Sequence, residues 1–365
     1  MSVLAVVFFV AVGAQIIFYI FFLIAFSRSS KASNYSHSVS VVVCAHDEEN
    51  NLRELIPLLL SQEHPDYEVI IANDRSNDNT LDLLKEEAKK DNRLRVVHVD
   101  HLPPHANAKK YALSLAIKAA QKEIILLTDA DCRPKGNRWI KKMTDVMDGR
   151  TNIVLGYSPY FSEASFLNLF IRFETLITAI QYLSLALLKM PYMGVGRNMA
   201  YKRSLFMDNK GFQDLMGITG GDDDLFINRH ATSANTLVCL SQDTLVYSYP
   251  KRTWGSYLEQ KLRHLSVGKY YRGKHKWVLG IYISTFIITW FLGLALIFAH
   301  TMAIAIIIAL VVRCLMVLIT IQLASNKLGD KFSLWPVIFL DFLYAIYYLS
   351  NGLRALVTRK IKWTN

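Results

Sequence analysis

Long apolar runs and patterned mixed segments divide the chain into two kinds of material. Residues 1–27, MSVLAVVFFVAVGAQIIFYIFFLIAFS, carry no charged side chain, and about 20 apolar residues suffice to cross a bilayer as a helix. Runs 277–300 and 302–324 are also long enough, with Arg313 the one formal charge inside them. A further run, 334–357, is interrupted by Pro336, Asp341, Asn351 and Arg354, so it crosses, tilts or lies in the interface. The first run does not read as a cleaved signal peptide: no Lys or Arg precedes it and it is too long. The pattern predicts an N-terminal membrane helix at 1–27, a globular domain at 35–275, membrane or interfacial helices at 277–357 and a basic tail at 358–365.

Inside the globular stretch, short β-branched runs alternate with amphipathic helical ones. SVSVVVCAHDEENNL gives a strand at 39–43, a polar turn and a helix from about Asn51; YEVIIANDRSNDNT gives a strand at 69–72, a loop and the helix LDLLKEEAKK. LRVVHVD is a third strand, NAKKYALSLAIKAAQ an amphipathic helix, and EIILLTDAD a fourth strand. Strand, loop and helix in this order predict an α/β fold with a mostly parallel sheet and helices on both faces. Ligands bind such sheets at the carboxyl ends of the strands.

That rule gathers the acidic residues. Asp47, Glu48 and Glu49 follow the first strand, Asp74 the second, and Asp129 and Asp131 the fourth. The stretch LLTDADCRP has two readings: a loop in which Pro134 stops strand pairing, or a pair of carboxylates for a hard divalent cation shared with substrate phosphates. No G-x-G-x-x-G or G-x-x-x-x-G-K-[ST] follows any strand, which removes the usual dinucleotide and P-loop readings. The segment Phe161 to Met193, apolar at near-helical spacing, reads as core packing or as an amphipathic helix on a bilayer.

Charge adds a membrane surface. The formal net charge is +11, with basic clusters at Lys251-Arg252, Lys269 to Lys276 and Arg359 to Lys362 flanking the apolar segments. This predicts anionic headgroups as neighbours and, with Arg28 and Lys31 after the first span, a cytoplasmic globular domain. No basic stripe interleaved with aromatics points to nucleic acid. The four cysteines, Cys44, Cys132, Cys239 and Cys314, form no C-x-x-C pair, so neither a zinc site nor a disulfide framework is expected.

These residues, in this order and between membrane segments, resemble the inverting family-2 glycosyltransferases with a GT-A fold, including ceramide glucosyltransferase-like and polysaccharide synthase-like members. The resemblance implies that Glu48 or Glu49 lies near the nucleoside, Asp74 contacts base or ribose, and Lys109 is the matching lysine of NAKKYAL. TDAD is similar to the D-x-D element, which implies Asp131 as the direct metal ligand, with Mg2+ or Mn2+, and Asp129 at the metal, sugar or ribose. GVGRNMAYKRSLF, containing Arg197 and Asn198, looks like the acceptor-side loop. TGGDDDLF resembles the segment supplying the catalytic base, which implies Asp223 with Asp222 beside it and Asp224 as a competitor. QKLRH resembles the Q-x-x-R-W element through Gln260 and Arg263, with His264 in the tryptophan position.

The implied reaction moves a sugar from a nucleotide-diphosphate sugar, a UDP-sugar first, to a membrane lipid or glycan hydroxyl, in a multi-pass protein of a bacterial inner membrane. A processive polysaccharide synthase, with or without a partner subunit, is the rival within the family; it needs a polar channel, for which three or four apolar helices leave little surface. A non-catalytic transporter and a nucleotidyltransferase are rivals outside it. The first has too few intramembrane charges to support it, and the Asp222–Asp224 and Gln260/Arg263 segments speak against the second.

Overall fold

β-branched runs buried on both faces build the sheet, as parallel strands covered by helices require. The computed structural model describes residues 2–28 and 37–358, the side chain of Leu356 excepted; Lys31 and most of the basic tail lie outside them. The strands are β1 (Val39–Ala45), β2 (Tyr67–Asp74), β3 (Leu94–Val99), β4 (Ile124–Leu127), β5 (Cys132–Pro134), β6 (Ile153–Leu155), β7 (Met199–Lys202), β8 (Thr236–Val238) and β9 (Val246–Ser248). Seven form one sheet in the order β3-β2-β1-β4-β7-β6-β8, and β5 pairs with β9 in a second. β1 runs parallel to β2 and β4, whereas β7 runs antiparallel to β4 and β6. This is a mixed α/β fold with a mostly parallel sheet, as the alternation of strands and helices implied.

Three local expectations change. The strand expected through 123–131 stops at Leu127, because the chain turns at Asp129 and starts β5 at Cys132. Pro134 does not end pairing but sits opposite Val246 in β5, where a short ladder with one neighbour tolerates its missing N–H. The helix expected from Asn51 begins at Glu49 and runs to Leu60.

The chain divides into two compact units: one of residues 29–161 and 189–250, which holds the sheet, and one of residues 1–28, 162–188 and 251–365. Residues 162–188 and 251–275, grouped with the globular domain by the sequence pattern, thus fall in the helical unit. There, among the described residues, four helices are long and apolar enough to cross a membrane: Val3–Ser27, Phe166–Leu187, Gly273–Phe298 and Ala303–Leu328. Phe166–Leu187 is buried along most of its length, which matches core packing rather than a helix lying on a surface. The run 334–357 folds as the helix Val337–Tyr347 followed by a π-turn and a five-residue helix.

Within this unit two charges from different apolar segments, Arg313 and Asp341, meet. Arg313 pairs with Asp341, which also accepts from Trp290 Nε1 at 2.8 Å, while Arg313 Nη2 reaches the Tyr19 hydroxyl at 3.3 Å. A buried charge left alone would be costly, so both are kept together.

Candidate active site

Parallel pairing puts the ends of β1, β2 and β4 on one edge of the sheet. Asp47 leaves β1 in the left-handed region, at φ 56°. Its carboxylate accepts from Asn77 N at 2.6 Å, and its own N–H donates to Ser76 Oγ at 3.0 Å. The first two loops are therefore tied to each other. Glu48 N–H donates to Thr80 Oγ1 at 2.9 Å, and the Glu48 carboxylate accepts from Asn51 Nδ2 at 2.6 Å. Burial raises its pKa, and Asp131 and Asp129 add to the rise. Glu49 instead pairs outward with Arg53 at 2.7 Å. Asp74, buried at the end of β2, accepts from Arg75 Nε at 2.8 Å.

After β4, one carboxylate oxygen each of Asp129 and Asp131 and the sulfur of Cys132 lie within 4.8 Å of one another. Burial, then the charge of Asp129, lifts the Asp131 pKa above the ordinary carboxylate value, and Arg197 pulls the other way. Two carboxylates that repel one another in a part-buried turn suit a hard divalent cation, which relieves the repulsion. The Cys132 thiol, whose pKa burial raises strongly, is a softer donor that such a cation does not require.

Arg197 arrives because β7 is antiparallel: Met199 stands opposite Leu127, so the loop before β7 enters at the end where β4 leaves. Its guanidinium lies over the Tyr160 ring, 4.4 Å from the centroid, and donates to Ser158 O at 3.2 Å. Its Nη1 is buried without a hydrogen-bond partner. Asn198 faces the other way. It is fully buried, with Nδ2 donating to Tyr157 O and Thr244 O at 2.7 Å and Oδ1 accepting from Trp139 Nε1 at 3.0 Å. Its amide is thus committed to the scaffold.

A second group of carboxylates joins the first through a lysine. The helix Ala108–Ala119 is capped by Asn107, whose side chain accepts from Lys110 N, and this places Lys109 and Lys110 in the first turn. Cations there oppose the helix dipole, so the local sequence is unfavourable until the partners are seen. Lys109 Nζ lies 2.9 Å from Asp129 Oδ1 and 3.4 Å from Asp222 Oδ2. Burial opposes the Lys109 charge, but Asp129 and Asp222 hold its pKa well above the ordinary lysine value. Burial likewise works against the Asp222 carboxylate, but Lys109 and Lys110 bring its pKa below the ordinary one.

Asp223 caps the helix Asp224–His230: Oδ1 accepts from Asp224 N at 2.7 Å and Oδ2 from Gly196 N at 2.8 Å. Burial, and then Asp222, raise its pKa. The acidic triplet thus starts a helix, with Asp224 buried and Asp222 and Asp223 part-buried. Gln260, Arg263 and His264 belong to the helix Trp254–Val267 of the helical unit. Lys110 and Tyr160 were not singled out from the sequence; for Lys110, the paired lysines at a helix start were the available signal.

An edge lined by carboxylates, a bridging lysine and a part-buried arginine can hold an anionic ligand through a cation and accept a proton beside it. Residues 40–209 match the family model described as glycosyl transferase family 2. The chain carries a family 2 glycosyltransferase domain. A Bacillus subtilis protein designated glycosyltransferase TuaG is 28% identical over 116 residues, 32% of this chain and 44% of that protein. The poly-beta-1,6-N-acetyl-D-glucosamine synthase of Staphylococcus epidermidis is 32% identical over 93 residues, 26% of this chain and 21% of the synthase. The chain therefore spans less than half the length of these curated relatives. Among solved structures, the mannosyltransferase PcManGT from Pyrobaculum calidifontis, in complex with GDP-Man and Mn2+, aligns over 98% of this chain and 99% of its own, with a TM-score of 0.64 and 16% identity. That likeness shows a shared GT-A type fold.

Proposed function

We propose that this glycosyltransferase moves a sugar from a nucleotide-diphosphate sugar to a hydroxyl of a membrane lipid, with inversion at the anomeric carbon. The observation that carries the reading is the Lys109 bridge, which links Asp129 of the D-A-D turn to Asp222 beside Asp223. Asp131 and Asp129 would hold Mg2+ or Mn2+, which when bound offsets the charge developing on the leaving diphosphate. Glu48 and Asp74 lie at the same sheet edge and would meet the nucleoside. Arg197, with its buried free Nη1, would reach the donor's phosphates or the incoming acceptor. Asn198 supports the loop that presents Arg197.

In the transfer, the acceptor oxygen attacks the anomeric carbon from the face opposite the diphosphate. The bond to the phosphate oxygen breaks, and the hydroxyl proton passes to Asp223. A raised pKa suits that task, since a base works best when its pKa approaches the working pH. Gln260, Arg263 and His264 stand as substrate-side residues by the resemblance of their motif alone. The lipid acceptor is supported by four helices of membrane-spanning length in the same chain. The basic residues around them, Arg28, Lys251, Arg252 and Lys269 among them, favour a cytoplasmic sheet unit.

Extension of a polysaccharide is the second reading, favoured by the synthase among the relatives; the length of the product separates the two. The test is a thermal-shift screen of the detergent-solubilised protein with UDP-, GDP- and dTDP-sugars, with and without Mn2+, followed by transfer of radiolabelled sugar into a membrane lipid extract. One nucleotide class should raise Tm with Mn2+ and lose that effect in Asp131→Asn, because binding to the folded state alone stabilises it. Label that stays out of the lipid phase in every case would refute the lipid acceptor.

A further inference from the structure

The neighbour of the bridging lysine has a separate task. Lys110 is fully buried, and its ammonium donates to the carbonyl oxygens of Ile218 and Gly220, the latter at 2.6 Å. A buried ammonium without such partners would be costly, and burial does lower its pKa in spite of Asp222, Asp223 and Asp224 nearby. Its partners are backbone atoms of the segment that leads directly into Asp222 and Asp223. The anchored Gly220 and the next residue, Gly221, lead straight into the carboxylates, at φ 77° and 78°. Two consecutive residues in the left-handed region are accessible to glycine and costly for other residues.

The acidic segment is therefore held at three points: Lys110 on its backbone, Lys109 on the Asp222 carboxylate, and Gly196 N–H on the Asp223 carboxylate. We propose that Lys110 is a positioning residue, whose ammonium latches the carbonyls of residues 218 and 220 and so fixes Asp222 and Asp223, with Gly220-Gly221 as the hinge on which the segment turns when the latch opens. The proposal rests on the reading of Asp223 as the base. Lys110 bonds to no group of the D-A-D turn, so its loss should act on transfer and spare the donor. The scale follows from geometry: about an ångström of misplacement of a reacting group lowers rate by about a hundredfold.

The experiment uses the full chain in detergent. Hydrogen exchange is followed by mass spectrometry across residues 215–222, and nucleoside diphosphate release is measured from the donor that gives the largest thermal shift, with a total membrane lipid extract as acceptor. Lys110→Met keeps the volume and removes the ammonium. It should speed exchange in 215–222, lower kcat about a hundredfold, and leave donor KM and the donor-induced thermal shift unchanged; Lys110→Arg should recover part of the rate. Unchanged exchange, or a donor shift lost together with kcat, overturns the latch. Gly220→Ala supplies an independent arm if the first variant does not fold: kcat falls with donor binding intact, and an unchanged kcat overturns the hinge. Asp223→Asn tests the base separately, because transfer that survives it refutes the base while the exchange data still decide whether Lys110 holds the segment.

Discussion

Replacing Lys109 by Met should destabilise the sheet unit, most at pH values where Asp222 is charged. The Lys109, Asp129 and Asp222 side chains are 28%, 32% and 13% exposed. Breaking a fully buried pair costs about 3–5 kcal/mol, whereas an exposed pair contributes about 0–1 kcal/mol. Part-buried groups stand between these limits, so a loss of about 2 kcal/mol is expected at pH 7. For a unit of roughly 200 residues this lowers Tm by about 4–8 °C. The pH dependence follows from Asp222, whose folded pKa is depressed because Lys109 and Lys110 outweigh burial. Such a group contributes stability above its unfolded pKa and loses it as pH falls through the folded value. In Lys109→Met the cation that depresses the Asp222 pKa is gone, so the deficit is full at pH 7 and narrows only as pH falls below the ordinary carboxylate value of about 4. Thermal unfolding of both proteins, in one detergent and at one scan rate, measures it at pH 7 and at pH 3. An unchanged Tm at pH 7, or an equal deficit at both pH values, would refute the reasoning.

Other substitutions probe separate parts of the site. Asp222→Asn removes the second cause of the raised Asp223 pKa and leaves burial, so that pKa falls. The base then stays deprotonated at lower pH, and the acidic limb of the kcat/KM profile should move down; a limb that stays or moves up counts against Asp223 as base. Asn198→Ala removes three buried hydrogen bonds and leaves Trp139 Nε1 without its acceptor, which should cost about 2–4 kcal/mol. Denaturant unfolding measures that loss, and an unaltered midpoint would show that the amide is not a scaffold element. Gly156→Ala puts a Cβ 2.7 Å from the Asn198 amide nitrogen, so it should destabilise the same region; equal Tm values for the two proteins would contradict the close approach.

The parts legible in the sequence are those set by local pattern. β-branched runs such as Val39–Ala45 could only be buried strands, and uncharged runs such as 1–27 could only be long apolar helices, because period and length are properties of neighbouring residues. Parallel strand order then placed Asp47, Asp74, Asp129 and Asp131 at one edge without any contact being known. Local pattern could not give the direction of β7. Its antiparallel course brings Arg197 to the turn after β4 and turns Asn198 into the core, although the two are adjacent in sequence. Nor could it separate Lys109, which bridges two carboxylates, from Lys110, which holds two carbonyls 108 and 110 residues away. Those roles depend on which groups share a buried space, and a side chain's partners across such distances are chosen by packing and by the need to compensate buried charge, neither of which neighbouring residues encode.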